Sequence, residues 1–113
     1  MIYFIYGRAN KNEAYVKIGY SKNPEQRLKQ LQTGCPIKLS IRYTMSGNFE
    51  TEKALHEYYK EYKVPHSKEW FYFRGDLKEN LLNAPKQCKS IQQFVCSFSK
   101  RQSKSKLQNM NIL

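Results

Sequence analysis

A carboxylate, an imidazole, a guanidinium, an ammonium and a phenol are the groups of this 113-residue chain whose spacing is suited to chemistry on an anion. Glu52 lies three positions before Leu55 and seven before Tyr59, on the apolar stripe of a helix. A buried carboxylate without a partner is costly, so it must be paired, protonated or bound to a cation. The other reading is a half-exposed first turn in which Glu52 complements the helix dipole. His56 follows one turn later on the same side. It could be a metal ligand, a proton carrier or a hydrogen-bonded core histidine, the last being the commonest outcome for a histidine so placed.

A second group sits in "VKIGYSKNPEQRLKQLQTGCP", residues 16–36. Here a strand closing on Gly19 runs into a capped helix that stops at Gly34 and Pro36. Arg27 is at the border of that helix's buried stripe, where it could snorkel, pair with a carboxylate or clamp a phosphate. Lys22 and Lys29 flank it as candidate substrate-binding cations. Strand alternation puts Tyr15, Lys17 and Gly19 on one face and Val16, Ile18 and Tyr20 on the other. Tyr3 stands in an apolar first strand, where tyrosines are usually core residues with a bonded hydroxyl. Glu69, just before "WF", reads as a surface residue or a partner for nearby cations.

The elements that position these groups follow from local pattern. "MIYFIYG" predicts a buried strand and "AYVKIGY" its hairpin partner. Asn23, Pro24 and Gln26 are the cap, first position and reciprocal cap of a helix whose stripe is Leu28 and Leu31. "IKLSIRYTM" alternates as a third strand. Asn48 or Thr51 caps the helix "ETEKALHEYYKEYK", with Leu55, Tyr58, Tyr59 and Tyr62 at helical spacing. "WFYF" is a short strand, and a further helical turn is expected from Asp76 to Leu82. The order β-β-α-β-α-β predicts a small α/β domain of the α+β type, with helices on a largely antiparallel three- to four-stranded sheet. The domain is expected over residues 1–85. Ile91, Phe94, Val95 and Phe98 suggest a further helix within a basic tail, 86–113.

Composition bounds the function. The aromatic content of 14%, with nine tyrosines, argues for a packed core. No apolar run is long enough to span a membrane, and the first residues do not resemble a signal peptide. The expected location is the cytoplasm, or a host cell's cytoplasm for a viral chain, with no membrane partner. Cys35, Cys88 and Cys96 lack metal-knuckle spacing and are expected as free thiols. The net charge of +11 makes a polyanion the expected partner. Six of the 20 basic residues, and no acid, follow Pro85.

Together, Tyr3 within "IYFI", "VKIG", Arg27, Glu52-x-x-Leu55-His56 and "EWF" resemble the GIY-YIG nuclease superfamily. The likeness is to its divergent branch common in phages and mobile elements, over about residues 1–74. The resemblance implies a metal-dependent endonuclease that hydrolyses DNA phosphodiester bonds. It implies Tyr3 and Gly19 as the tyrosine and glycine of the two half-motifs, and Arg27 as the holder of the scissile phosphate. Glu52 is then the sole carboxylate ligand of Mg²⁺ (or Mn²⁺), and His56 the histidine of this branch. An ion that keeps most of its waters tolerates so few protein ligands. Lys17 replaces the tyrosine of better-known members, and the first half-motif has no glycine. A lysine there is expected to lower the pKa of Tyr3 and so ease formation of a phenolate base, with Tyr15 as a second candidate. Without a second targeting domain, sequence specificity is expected to be low, with self-association or a partner protein able to supply it. The alternative is a weak or inactive relative that binds nucleic acid or another protein.

Overall fold

The computed structural model describes residues 1–84. Its elements are β1 (Ile2–Arg8), β2 (Ala14–Tyr20), α1 (Pro24–Gln32), β3 (Leu39–Met45), α2 (Phe49–Tyr58), β4 (Trp70–Tyr72) and α3 (Gly75–Leu82). The four strands form one antiparallel sheet in the order β3-β1-β2-β4. This is the expected α+β architecture, with α3 completing it. No helix among the described residues is long and apolar enough to cross a membrane.

β1 is the centre of the sheet, and Ile2, Tyr3, Phe4 and Ile5 are buried in succession because both faces are covered. On one face, Tyr3, Ile5 and Leu39 pack against Leu28 and Leu31 of α1. On the other, Ile2, Phe4, Val16, Ile18 and Phe71 meet Leu55, Tyr58 and Tyr59 of α2, with Leu77 and Leu81 of α3 closing the core. A register shift between Phe4 and Ile5 adjusts the pairing of β1 with β3.

The helix starts follow their local chemistry. The Asn23 side chain accepts from the Gln26 amide at 3.1 Å, with Pro24 in the first turn. Asn48 caps α2 in a reciprocal box with Thr51, so Thr51 is the cap's partner. After α1, Gly34 takes φ 77°, a left-handed turn that glycine adopts without penalty.

One boundary differs from expectation. The periodicity extends α2 to Lys63, whereas α2 ends at Tyr58 and Lys60–Tyr62 form a 3₁₀ turn. In a 3₁₀ turn side chains three apart eclipse, which puts Tyr62 beside Tyr59, with ring centroids 6.5 Å apart. The Tyr62 hydroxyl then accepts from the Asp76 amide at 3.1 Å, in the first turn of α3. The tighter turn thus serves the docking of α3. The residues from 85 onward, including Ile91, Phe94, Val95, Phe98 and the boundary at Lys86, lie outside the described residues; so do Cys88 and Cys96, while Cys35 is a free thiol.

Candidate active site

The register of β1 and β2 sets Tyr3 directly across from Gly19. Cross-strand partners share a face, and the tyrosine ring occupies the space a side chain on Gly19 would need. A Cβ built there overlaps the Tyr3 hydroxyl and ring. Tyr3 is 1% exposed, so its hydroxyl requires a partner in the protein. Arg27 supplies it: α1 lies on this face through Leu28 and Leu31, and its guanidinium hydrogen-bonds the Tyr3 hydroxyl. Arg27 Nη1 also donates to Gln30 Oε1 at 3.3 Å.

The second half of the site is built on the edge of β2. β4 is short, pairing Tyr15, Val16 and Lys17 with Tyr72, Phe71 and Trp70. The Ile18 amide still donates to the Glu69 carbonyl at 3.1 Å, but β4 reaches no further. The next two edge groups of β2 are taken by α2. His56 Nε2 meets the Ile18 carbonyl at 2.8 Å, and the Glu52 carboxylate accepts from the Tyr20 amide. A carbonyl only accepts, so Nε2 carries the proton. The His56 ring stands edge-on to Phe71, centroids 5.1 Å apart, which fixes its plane. Glu52 Oε1 lies 3.7 Å from the same Nε2, and its side chain is 13% exposed. The carboxylate is shielded and paired rather than solvated in an open first turn.

Lys17 is also buried. Its Nζ lies 3.1 Å from Glu69 Oε2 and 5.7 Å from the centre of the Trp70 ring. Burial raises the Glu52 carboxyl above the ordinary range, and the Glu69 charge pushes the same way. His56, Lys17 and the Tyr20 amide oppose that rise without cancelling it. The site therefore carries two carboxylates on hard oxygen atoms, Glu69 paired with Lys17 and Glu52 shielded beside His56.

The expected effect of Lys17 on Tyr3 is corrected. Burial raises the Tyr3 pKa above its ordinary value; the Arg27 hydrogen bond lowers it, and Glu69 and Glu52 raise it. The sequence does not reveal that the lysine charge is already paired with Glu69, nor that the phenol is enclosed. Tyr3 is a phenol at neutral pH.

Tyr3, Gly19 and Arg27 are thus brought together from β1, β2 and α1. Glu52 of α2 sits at the β2 edge with His56, close enough for its charge to act on Tyr3, and Lys17 and Glu69 act on it there. Tyr15 does not join them. It faces Gly7, four residue pairs along the sheet from Tyr3 and Gly19, and its hydroxyl donates to Glu13, which raises its pKa. Lys22 and Lys29 are exposed, the first ahead of the α1 cap and the second in its last turn. Sequence reasoning missed Glu69 as a site residue. Its only signal is its place just before "WF", and nothing local says that β4 brings it against Lys17.

The donor set suits a hard cation. Among the described residues no three His, Cys, Asp or Glu side chains cluster to enclose a metal. Two carboxylates, Glu52 with Glu69 close enough to act on it, offer the oxygen donors that Mg²⁺ and Mn²⁺ prefer; Mg²⁺ keeps much of its water. Glu52 would hold such an ion, with Glu69 adding to the field.

The chain matches the T5orf172 domain over residues 1–103. This is a phage-associated domain found in nuclease-like proteins. The match runs into the segment from Lys86 that composition sets apart as a tail, ending at residue 103. No curated protein and no solved structure matches the chain.

Proposed function

The chain belongs to the T5orf172 domain family, and on that premise we propose that it is a metal-dependent endonuclease of the GIY-YIG type that hydrolyses DNA phosphodiester bonds. What supports this reading is that Arg27 and Glu52, from helices on opposite faces of the sheet, both act on the buried Tyr3 that faces Gly19. The guanidinium is a group for a phosphate and the shielded carboxylate a group for a cation.

In this reading Arg27 binds the scissile phosphate through its fork of N–H donors and offsets the charge that grows on it. Tyr3 is buried behind Arg27 and acts as a positioning residue, accepting from the guanidinium and fixing its direction. Glu52 holds the divalent ion, which when bound supplies Lewis acidity at the phosphate. Lys17 moderates the repulsion between Glu52 and Glu69 and opposes the rise in the Glu52 pKa that burial and Glu69 cause. His56 fixes the edge of β2 from which Glu52 takes its amide bond.

The test is relaxation of supercoiled plasmid with Mg²⁺, with Mn²⁺ and with chelator. The reading expects nicking by the wild-type chain with either ion, none with chelator, and none by Glu52→Ala or Arg27→Ala. Nicking that persists in Glu52→Ala would identify a contaminating nuclease and overturn the assignment.

A further inference from the structure

The face of the sheet that carries Tyr3 and Gly19 continues past the site. The next pair along β2 and β4 is Lys17 with Trp70, and the one after it is Tyr15 with Tyr72. α1 covers the β1 and β3 half of this face. Tyr15 and Tyr72 lie on the other half and are both half-exposed. Their ring centroids are 5.7 Å apart with a 39° tilt. The Arg74 guanidinium lies 4.4 Å from the Tyr72 ring centre. Arg74 and Lys11 are exposed at this end of the sheet, as is Arg8, whose side chain turns to the opposite face and donates to the Tyr6 hydroxyl.

These residues are hard to explain as packing alone. This half-exposed aromatic pair on adjacent strands belongs to neither of the two apolar clusters that pack the helices of the described chain. What it offers is π-faces with cations beside them. That is the chemistry that takes unpaired nucleic-acid bases: every base has a face to stack, and stacking needs the strand to be open. In duplex DNA those faces are occupied by neighbouring base pairs.

From this we infer that the Tyr15–Tyr72 platform holds unpaired bases of the substrate strand beside the site, so that the enzyme acts where duplex DNA meets a single-stranded segment. This rests on the reading of the chain as a DNA endonuclease. The platform lies four residues along β2 from Gly19, about 13 Å at the usual rise of a strand, the reach of a few nucleotides. Arg74 caps the stack on the Tyr72 side. Glu13, an acidic group beside the platform's tyrosines, is tied to the Tyr15 hydroxyl. That carboxylate keeps its charge and repels phosphate, so the strand's phosphates are drawn to the Arg74 side of the platform.

The test measures binding and cleavage separately on the full chain. Binding is read by fluorescence anisotropy in chelator, on a 20-nucleotide oligothymidylate, on a blunt duplex and on the same duplex with a single-stranded overhang. The expected order of affinity is overhang and single strand above blunt duplex. Tyr72→Leu and Tyr15→Leu are each expected to weaken binding of the overhang and the single strand by roughly 5- to 150-fold, the range of losing one stacked base, and to leave the blunt duplex unchanged. Tyr72→Phe keeps the ring and should bind as wild type. Should a leucine variant unfold, Arg74→Gln, exposed and at the end of the stack, is expected to lower single-strand affinity in the same direction. Equal affinity for all three DNAs, or leucine variants that bind the single strand as well as wild type, would overturn the platform. Plasmid nicking with Mg²⁺ on the same proteins separates the two claims. Nicking without ring-dependent strand binding leaves the endonuclease and removes the platform. Ring-dependent strand binding without nicking leaves a single-strand-binding surface and removes the endonuclease.

Discussion

Gly19 has no side chain because Tyr3 fills the space one would take: a Cβ on Gly19 would coincide with the tyrosine's hydroxyl end. The two are cross-strand partners at the centre of the sheet, and Arg27 is held through the hydroxyl that this vacancy admits. Gly19→Ala should therefore displace the Tyr3 ring and release Arg27. The expected result is a fall in nicking rate on the order of 10²-fold, the usual cost of misplacing a charge-stabilising donor. Tyr3→Phe keeps the ring and removes only the hydroxyl, so it should lose less activity while folding normally. Wild-type activity in both variants would show that Arg27 is positioned without Tyr3.

Glu52 is expected to limit stability as well as to serve function. Its folded pKa is raised, so the folded state binds its proton more tightly than the unfolded state does. Such a group favours folding while protonated and disfavours it once the pH rises through the unfolded and then the folded pKa. At neutral pH the charge is a net cost. Glu52→Gln keeps an acceptor for the Tyr20 amide and removes that charge. It should abolish nicking while leaving Tm at pH 7 equal to or above wild type, with the difference vanishing near pH 3. A clear drop in Tm at pH 7 would show that the His56 and Lys17 charges outweigh burial.

The Lys17–Glu69 pair should set the acidic limb of the pH profile. Glu69 raises the Glu52 pKa and Lys17 lowers it. Lys17→Met leaves two carboxylates without their cation, so Glu52 stays protonated to higher pH and the acidic limb should move upward. Glu69→Gln removes the repulsion and should move it downward. The alkaline side should show no fall from Tyr3 at neutral pH, since its raised pKa keeps it a phenol there. Limbs that move the same way in both variants would mean that the pair acts on something other than Glu52.

What the sequence makes legible is whatever depends on neighbours in the chain. Asn23 with Pro24, and Asn48 with Thr51, mark helix starts because capping is local chemistry. The alternation in "AYVKIGY" places Lys17 and Gly19 on one face because strand period is local too. The end of α2 is not legible, since its tightening serves Tyr62 and α3 far along the chain. Nor is Glu69, whose meeting with Lys17 depends on the β2–β4 register and on how short β4 is. The direction of the Tyr3 shift escapes the sequence for the same reason. Burial in a central strand and a lysine already paired elsewhere are properties of the sheet, not of either residue's neighbours.

The basic stretch after Pro85 contributes six cations, and its effect should be on affinity, not chemistry. Deleting residues 86–113 should weaken DNA binding and flatten its salt dependence by about one unit of slope for each phosphate that is no longer neutralised. Single-turnover cleavage of saturated substrate should be unchanged. An unchanged salt slope would show that this stretch does not touch the DNA. An insoluble product would show that its apolar residues belong to the core, in keeping with a family match that extends to residue 103.

His56 separates positioning from proton transfer. Its Nε2 proton is committed to the Ile18 carbonyl, and its ring is held against Phe71. A residue so engaged supports the β2 edge, and with it the amide that Glu52 accepts. His56→Gln keeps a donor of similar reach, while His56→Ala leaves a shielded carbonyl without its partner, at a cost of about 1–3 kcal/mol. The expectation is that His56→Gln retains nicking within a few-fold and keeps the wild-type pH profile. His56→Ala should lower Tm by several degrees and lose activity along with stability. The profile decides the matter: a proton carrier would take one limb with it when replaced by glutamine, whereas a residue that only holds the strand edge would leave both limbs in place.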